Sequence, residues 1–213
     1  TYVWTDECGN RFTVEQVITV KDSTRPALAS TTWADSTVYM TAYSEDCDLF
    51  TLPTPYTTVK EVNDAYGSAF ITDCNIGDGQ VVNHSDEDKD THSCGRYILR
   101  TYTVSDSCGN GPAVFTHKIW VKDTVKPILE GTLTDATVYL ASDCGITLPD
   151  PYTTTEELLA NGLTAVKDCN SSLTVTKTDV QDNNNTCDRF YIRTYKVEDA
   201  CGNYSTTDQL IHV

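Results

Sequence analysis

A motif that ends in Cys-Gly-Asn occurs three times in this chain, and its spacing limits what the chain can fold into. Its copies are TYVWTDECGN at 1–10, LRTYTVSDSCGN at 99–110 and IRTYKVEDACGN at 192–203. The first two copies are followed at nearly equal distance by ITVKDSTRP at 18–26 and IWVKDTVKP at 119–127. A period of about 93 to 100 residues is too long for one unit of a solenoid but fits a row of small domains.

The repeat predicts two complete domains and part of a third. We place the C-terminal strands of one repeat at 1–26, a complete repeat at 27–127 and a second complete repeat at 128–213. A chain of 213 residues has room for two small domains. We expect it to belong to a longer tandem array, in which its partners are the neighbouring repeats and further copies that associate laterally.

The charge of the chain excludes several classes of partner. It has 15 Lys and Arg residues against 31 Asp and Glu residues, a net charge of −16. Such a charge repels nucleic acid and anionic membrane surfaces, so neither is an expected partner. No stretch approaches the roughly 20 apolar residues that a membrane span needs, and we predict no membrane insertion.

Nine cysteines follow the repeat. Each complete repeat has four at equivalent positions: Cys47, Cys74, Cys94 and Cys108 in the first, and Cys144, Cys169, Cys187 and Cys201 in the second. No Cys-x-x-Cys pair occurs and the four histidines do not repeat in register, which argues against zinc. Two disulfides per domain are the better interpretation, and they indicate an extracellular, cell-surface location. Cys8 matches the last cysteine of each repeat, so its partner is expected before residue 1; the alternative is a free thiol.

The second repeat predicts short β-strands and one helix. Alternating, β-forming segments occur at 136–141, 163–168, 172–179, 189–199 and 206–213. A short helix is predicted at 153–162, with Thr154 and Glu157 as its capping box and Gly162 at its end. The same design recurs in the first repeat. We predict an all-β fold of tandem immunoglobulin-like antiparallel β-sandwiches, each with one short helix and two disulfides.

The predicted strands restrict how the cysteines pair. Cys187 and Cys201 lie at opposite ends of one strand, and 14 extended residues span roughly 46 Å. A disulfide needs Cα atoms within about 7 Å, so these two cannot bond. In an immunoglobulin-like order, Cys169 and Cys201 share one pole of the domain, and Cys144 and Cys187 share the other. We therefore predict the pairs Cys144–Cys187, Cys169–Cys201, Cys47–Cys94 and Cys74–Cys108.

The combined motifs RTYxVxDxCGN, ITVxDTxxP, LPxPYTTxEEL and DCN resemble the HYR-like, immunoglobulin-like repeats of very large secreted proteins of Bacteroidota. The resemblance covers essentially the whole chain. Proteins with such repeats are typically exported by the type IX secretion system and displayed as adhesins, including the gliding-motility adhesins. The resemblance implies a structural segment of a stalk or filament in a secreted bacterial adhesin or fibre.

The same resemblance implies sites of O-glycosylation. Bacteroidota modify Asp-Ser or Asp-Thr that is followed by an apolar residue or Thr, and Ser23, Ser36 and Thr124 match that pattern. Ser23 and Thr124 occupy the same linker position, where a sugar would stiffen the joint between domains. The alternative is a chance match in a chain rich in Thr and Asp.

Acidic residues that recur in each repeat are the candidate metal ligands. The linker that leaves one domain is expected to meet the pole of the next domain that carries its CGN and DC turns. Two oxygen-rich sets result: Asp22, Asp73, Asp106 and Asn110, and Asp123, Asp168, Asp199 and Asn203. Three carboxylates and one amide oxygen suit Ca²⁺, which would bridge each joint. The alternative is that these residues only cap tight turns.

Nothing in the sequence indicates an enzyme. No Gly-x-Ser-x-Gly nucleophile motif occurs, and no glycine-rich phosphate loop follows a strand. The main alternative to a stalk is a glycan- or protein-binding module with its specificity in the loop 76–93. Trp33 is expected to be exposed near a first strand, but one Trp does not make the cluster of exposed aromatics that a sugar-binding module normally has. Within that loop, the acidic run 86–90 is predicted to be solvated. A third possibility is an appendage of a secreted enzyme.

Overall fold

The computed structural model describes residues 1–90, 94–181 and 189–213. The chain is mostly β, with 40% of residues in strands and 7% in helices. Its elements up to residue 122 are β1 Tyr2–Thr5, β2 Arg11–Val14, β3 Ala27–Leu28, β4 Ser36–Tyr39, α1 Val59–Tyr66, β5 Ile71–Thr72, β6 Val82–Lys89, β7 Tyr97–Val104 and β8 Ala113–Lys122. The later elements are β9 Ile128–Gly131, β10 Ala136–Thr137, α2 Thr155–Ala160, β11 Leu163–Lys167, β12 Thr174–Gln181, β13 Phe190–Glu198 and β14 Tyr204–His212.

The strands form two four-stranded sheets with the same order of strands. One sheet has the order β4-β8-β7-β6 and the other β10-β14-β13-β12. In each, the first pair is parallel, while β14, β13 and β12 pair antiparallel in an unbroken register. Each sheet is accompanied by a short antiparallel pair, β3 with β5 and β9 with β11. The all-β prediction is confirmed at this level.

The chain divides into two compact units. The first consists of Thr1–Thr31, Tyr56–His84 and Tyr102–Phe115, and the second of Thr32–Pro55, Ser85–Thr101 and Thr116–Val213. The predicted domain limits at residues 26 and 127 stay a prediction. Within the described residues, no helix has both the length and the apolar character needed to cross a membrane.

The first unit has an aromatic core. Tyr102 is 1% exposed and stacks on Phe115, which is fully buried, with ring centroids 5.0 Å apart. Phe70 packs edge-on against Phe115 at 5.4 Å. From α1, Val59 and Val62 are also buried. Burial of such large side chains contributes roughly 1.5–3 kcal/mol each to folding.

The second unit has two hydrophobic clusters. One contains Met40, Cys47, Ile98, Ile119, Val121 and Cys169. The other contains Leu133, Leu158, Leu163, Tyr195 and Val197, and Tyr195 and Val197 are fully buried. Tyr195 also accepts a hydrogen bond from the backbone amide of Tyr152 at 3.2 Å, so it has the structural role expected of it.

Both predicted helices form where their capping boxes begin. Thr154 accepts a hydrogen bond from the Glu157 amide at 3.2 Å, and Glu157 in turn accepts from the Thr154 amide at 3.2 Å. Gly162 follows α2 with φ +127°, a backbone conformation that favours glycine. Thr58 and Glu61 form the same box at α1. These local signals are confirmed.

A buried arginine joins two strands of the second sheet. Arg193 on β13 donates to the two carboxylate oxygens of Asp179 on β12, at 2.7 and 3.2 Å. It also donates to the Pro149 carbonyl at 2.7 Å. Because the Arg193 side chain is 2% exposed, this set of contacts fixes the segment at Pro149 to the sheet.

The acidic run 86–90 is not a solvated loop, as was predicted. Four of its residues lie on β6, and only residues 91–93 of that region fall outside the described part. Asp86 binds both Nε and Nη2 of Arg100 at 2.8 Å, and Asp88 binds Nη2 of Arg96 at 2.6 Å. The acids of this run therefore hold neighbouring arginines, and the segment predicted as a recognition loop is largely a strand.

Two further predictions differ from the structure. Trp33 is 6% exposed rather than exposed, because it packs edge-on against His117 with centroids 5.4 Å apart. The strand predicted at 136–141 is only Ala136–Thr137 in length. The chain leaves the sheet there, and Tyr139 is 88% exposed.

The hairpin of β1 and β2 carries exposed aromatic residues. Tyr2 and Trp4 are 54% and 56% exposed, and their ring centroids are 6.2 Å apart. Counted back from Cys-Gly-Asn, Tyr2 occupies the position of the buried Tyr102 and Tyr195. The hairpin thus exposes a face that is core in the two complete repeats.

Candidate functional site

Four cysteines of the second unit come together in two disulfides. Cys47 is bonded to Cys169, with Cα atoms 5.5 Å apart, and Cys94 is bonded to Cys201, with Cα atoms 5.4 Å apart. Asn170, next to Cys169 in the chain, contacts the other bond, with its Nδ2 3.5 Å from the sulfur of Cys94 and 3.8 Å from that of Cys201. Each bond connects residues of the first sequence repeat to residues of the second.

This pairing corrects the predicted one. The pairs Cys47–Cys94 and Cys169–Cys201 are wrong, although the members of each pair lie at one end of a repeat as expected. Asn170 follows Cys169 and touches the sulfur of Cys201, so those two positions are neighbours. The prediction assumed that each bond stays within one repeat, whereas both bonds connect a cysteine of the first repeat to a cysteine of the second.

Four other cysteines are free thiols, and all of them are exposed: Cys8, Cys74, Cys108 and Cys144. The predicted bond Cys74–Cys108 is therefore wrong as well. Cys187, the predicted partner of Cys144, lies outside the described residues. Cys8 is a free thiol, and whether it has a partner before residue 1 stays a prediction.

The Cys-Gly-Asn turn has the same hydrogen bonds in each copy. Asp199 Oδ1 accepts from the amides of Cys201 and Asn203, both at 2.8 Å, and its Oδ2 accepts from Nδ2 of Asn203 at 2.9 Å. Asp106 holds Asn110 in the same way, at 2.7 Å for both contacts. The aspartate therefore closes a tight turn and positions the cysteine beside it.

Each turn also reaches the linker that precedes the repeat. Asn203 Nδ2 donates to the Asp123 carbonyl at 3.2 Å, and Asn110 Nδ2 donates to the Asp22 carbonyl at 3.3 Å. We name the two sets of residues by these linker acids. The Asp22 cluster consists of Asp22, Asp73, Asn75, Asp106 and Asn110 with the thiols of Cys74 and Cys108. The Asp123 cluster consists of Asp123, Asp168, Asn170, Asp199 and Asn203 with the sulfurs of Cys169 and Cys201.

Carboxyl groups of the Asp123 cluster have raised pKa values. Burial, together with the nearby carboxylates of Asp199 and Asp123, raises the pKa of Asp168 to about 6. Burial and Asp199 raise the pKa of Asp123 as well. Within the described part of the chain, Asp168 Oδ2 is buried and has no hydrogen-bond partner.

The Asp22 cluster has the opposite electrostatics. Hydrogen bonds from the side chain and backbone of Thr24, and from Asn75, lower the pKa of Asp22 well below its usual range. Asn75 Nδ2 donates to Asp22 Oδ2 at 2.7 Å, whereas the equivalent Asn170 faces sulfur atoms. The difference follows from exposure, because the Asp22 carboxylate is open to water.

The structure supplies only part of the set of oxygen donors that the calcium prediction requires. Ligand atoms of Asp123, Asp199 and Cys201 lie within 4.8 Å of one another, but the sulfur belongs to a disulfide. Asp199 already accepts three hydrogen bonds, and Asn203 presents its amide nitrogen rather than its oxygen. Calcium takes six to eight oxygen ligands. A calcium site here would depend on Asp123 and Asp168.

In the Asp22 cluster, the structure brings the same kinds of groups together in two sets. Asp22 lies within ligand distance of Asp73 and Cys74, and also of Asp106 and Cys108. The predicted ligand Asn110 again donates through its nitrogen. The turn-capping alternative therefore accounts for Asp106, Asn110, Asp199 and Asn203.

The three predicted glycosylation sites differ in access. Ser23 and Thr124 are exposed, and Thr124 donates its hydroxyl to the Met40 carbonyl at 2.9 Å. Ser36 lies on β4 and its Oγ is buried, which leaves no room for a sugar. Glycosylation at Ser36 is therefore incompatible with this fold.

Sequence reasoning missed Asn75 and Asn170. Asn170 is 6% exposed and packs against the Cys94–Cys201 disulfide, while Asn75 binds the linker acid. Their signal was the repeated Asp-Cys-Asn at 73–75 and 168–170, which was used only as part of the resemblance. No protein-family model and no curated protein matches this chain.

Proposed function

We propose that this chain is a structural segment of the stalk or filament of a large secreted bacterial surface protein, built from tandem immunoglobulin-like sandwiches. The resemblance of its repeats supports a cell-surface adhesin or fibre of this kind. The observation that carries the proposal is the pair of disulfides that connects the two repeats, Cys47–Cys169 and Cys94–Cys201. A joint with two covalent links resists both bending and extension.

The mechanical role follows from where these bonds lie. Their sequence separations are 122 and 107 residues, so most of both repeats lies inside covalently closed loops. A force applied to the ends of the chain passes from Cys47 through the sulfur atoms to Cys169 and then along the backbone to Cys201. The residues between Cys47 and Cys169 therefore add no length even if their strands separate. A stalk that carries load has a use for this property, whereas a binding module does not require it.

Single-molecule stretching of the chain between its ends tests the proposal. We expect the contour length gained on unfolding to increase strongly when a reductant is added, because the closed loops then become extensible. The double variant Cys47→Ser, Cys169→Ser keeps one link and is expected to show an intermediate gain. An oxidised chain that extends as far as the reduced chain would contradict a load-bearing role.

A further inference from the structure

The Asp22 and Asp123 clusters are two copies of one arrangement. In both, an asparagine side chain reaches the linker carbonyl, at 3.3 Å for Asn110 and 3.2 Å for Asn203. In both, the aspartate before a cysteine accepts from the amide of the asparagine after it, as at Asp168 with 2.7 Å. Asp73 holds the amide of Asn75 in the same way at 2.9 Å. The backbone scaffold around the cysteines is therefore the same at both places.

The two clusters differ in the state of their sulfur atoms. Cys169 and Cys201 of the Asp123 cluster are both in disulfides. Their counterparts Cys74 and Cys108 are exposed thiols, and each sulfur lies within 4.8 Å of an Asp22 carboxylate oxygen. The Asp22 cluster thus has the backbone geometry of the Asp123 cluster, but its two cysteines are thiols instead of members of disulfides.

The same chain also contains a free counterpart of Cys47, the residue that is bonded to Cys169. Cys144 is equivalent to Cys47, and both adopt a left-handed backbone that is uncommon for residues other than glycine, with φ of 61° and 53°. The amide of Cys144 donates to the Ala141 carbonyl at 2.9 Å, and that of Cys47 donates to the Ser44 carbonyl at 3.1 Å. Cys144 therefore has the conformation of its bonded counterpart while its own thiol is exposed.

We propose that the Asp22 cluster is a covalent docking site for another repeat of this kind, which bonds its Cys144-type cysteine to Cys74. The partner is a second copy of this chain, because the cysteine that matches bonded Cys47 in backbone conformation and has an exposed thiol is this chain's own Cys144. The proposal rests on the proposed stalk function and extends it, because repeats joined in this way form a continuous covalent line.

Each new bond is an oxidation. Two thiols lose two protons and two electrons, the S–S bond forms, and a disulfide oxidant such as oxidised glutathione is reduced to two thiols. The Asp22 carboxylate accepts a hydrogen bond from the Cys74 thiol at 3.4 Å and raises its pKa. Since the thiolate is the attacking species, this contact slows oxidation of Cys74, and the bond should form faster as the pH rises.

The test uses the whole chain, reduced and then reoxidised at high concentration with reduced and oxidised glutathione. We expect a ladder of oligomers on non-reducing gels and, by mass spectrometry of disulfide-linked peptides, a dominant intermolecular Cys74–Cys144 link. Only monomer, or an intrachain Cys74–Cys108 link, would overturn the proposal.

Matched variants separate docking from random oxidation. The double variant Cys74→Ser, Cys108→Ser is expected to remain monomeric, whereas Cys8→Ser is expected to give the same ladder as the unmodified chain. Both variants must retain the Cys47–Cys169 and Cys94–Cys201 peptides, which shows that the second unit is folded. A ladder in the double variant would contradict the assignment.

Material taken from cells tests the partner directly. A Cys74 peptide linked to a Cys144 peptide supports association of copies at the Asp22 cluster, whereas a Cys74 peptide linked to a sequence outside this chain would overturn the second copy as the partner. Failure here would leave the stretching result of the stalk proposal intact, because that result depends on the two bonds of the second unit alone.

Discussion

Asn170 Nδ2 lies 3.5 Å from the sulfur of Cys94 and 3.8 Å from the sulfur of Cys201, which are bonded to each other. The turn Asp168-Cys169-Asn170 therefore contributes Cys169 to one disulfide and contacts the other disulfide through the side-chain amide of Asn170. The Asn170 side chain is 6% exposed and thus lies buried against the bond that connects the two sequence repeats.

Removal of one link is expected to lower stability substantially. The Cys94–Cys201 bond closes a separation of 107 residues, for which the chain-entropy model gives about 4–5 kcal/mol. The double variant Cys94→Ser, Cys201→Ser should show this loss in denaturant unfolding under oxidising conditions. Under reductant the variant and the unmodified chain should converge, and a difference that persists would indicate a packing effect instead.

The raised pKa of Asp168 predicts that protonation of this residue stabilises the folded state. Its pKa is about 6 in the folded chain against an ordinary value of 3.8, so between these values the folded chain holds the proton more tightly. This contribution is largest below about pH 4 and is lost as the pH rises through about 6. Asp168→Asn should remove this part of the pH dependence and raise the unfolding midpoint at pH 7.5. Asp73→Asn, in the Asp22 cluster, is the matched control.

Calcium should act on the same acids if it binds at the joint. We expect Ca²⁺, but not the same concentration of Mg²⁺, to raise the unfolding temperature of the oxidised chain at pH 7.5. Neutralising both remaining donors in the double variant Asp123→Asn, Asp168→Asn should abolish the increase. An equal response in the variant would place any ion elsewhere on this acidic chain.

Removal of Arg193 alone from the Arg193–Asp179 pair should lower the free energy of unfolding. Arg193→Met removes the donor of the Pro149 carbonyl and leaves the Asp179 carboxylate with Lys177 alone, and loss of one member of a buried pair costs up to roughly 3–5 kcal/mol. Urea unfolding measures the loss. In the double variant with Asp179→Asn, part of the stability should return, because the carboxylate that lost its buried partner is gone.

The helix caps provide a smaller, local prediction. Thr154→Ala removes the acceptor for the Glu157 amide and should cost about 1 kcal/mol, while Thr154→Ser should be close to neutral. Thr58→Ala at the other box is expected to behave alike. A thermal melt that resolves about 1 kcal/mol is sufficient, and no change in either alanine variant would mean that the caps are dispensable.

Local signals in the sequence were enough to predict the local structure. The box of Thr154 and Glu157 and the alternation along β13 depend on residues a few positions apart or on one face of a strand. The strand β6 was missed because its acids are paired with Arg100 on β7 and with Arg96 just before it, and a charge run alone does not show its partner.

The disulfide partners could not be predicted by the same reasoning. Spacing excluded bonds between the ends of one strand, but the choice between a bond inside one repeat and a bond to the next depends on contacts more than 100 residues apart. The equivalence of Cys74 with Cys169 was visible in the sequence. What it could not show is that Cys47 lies against Cys169 rather than against Cys94.

The two overlapping loops also determine what happens when the backbone is cut. The loops closed by Cys47–Cys169 and by Cys94–Cys201 together cover residues 47–201, and they overlap between residues 94 and 169. Any single peptide-bond cleavage between residues 47 and 201 therefore leaves two fragments that are still joined by at least one disulfide. A protein at the surface of a cell, exposed to proteases, would lose its continuity only after a second cut or a reducing event.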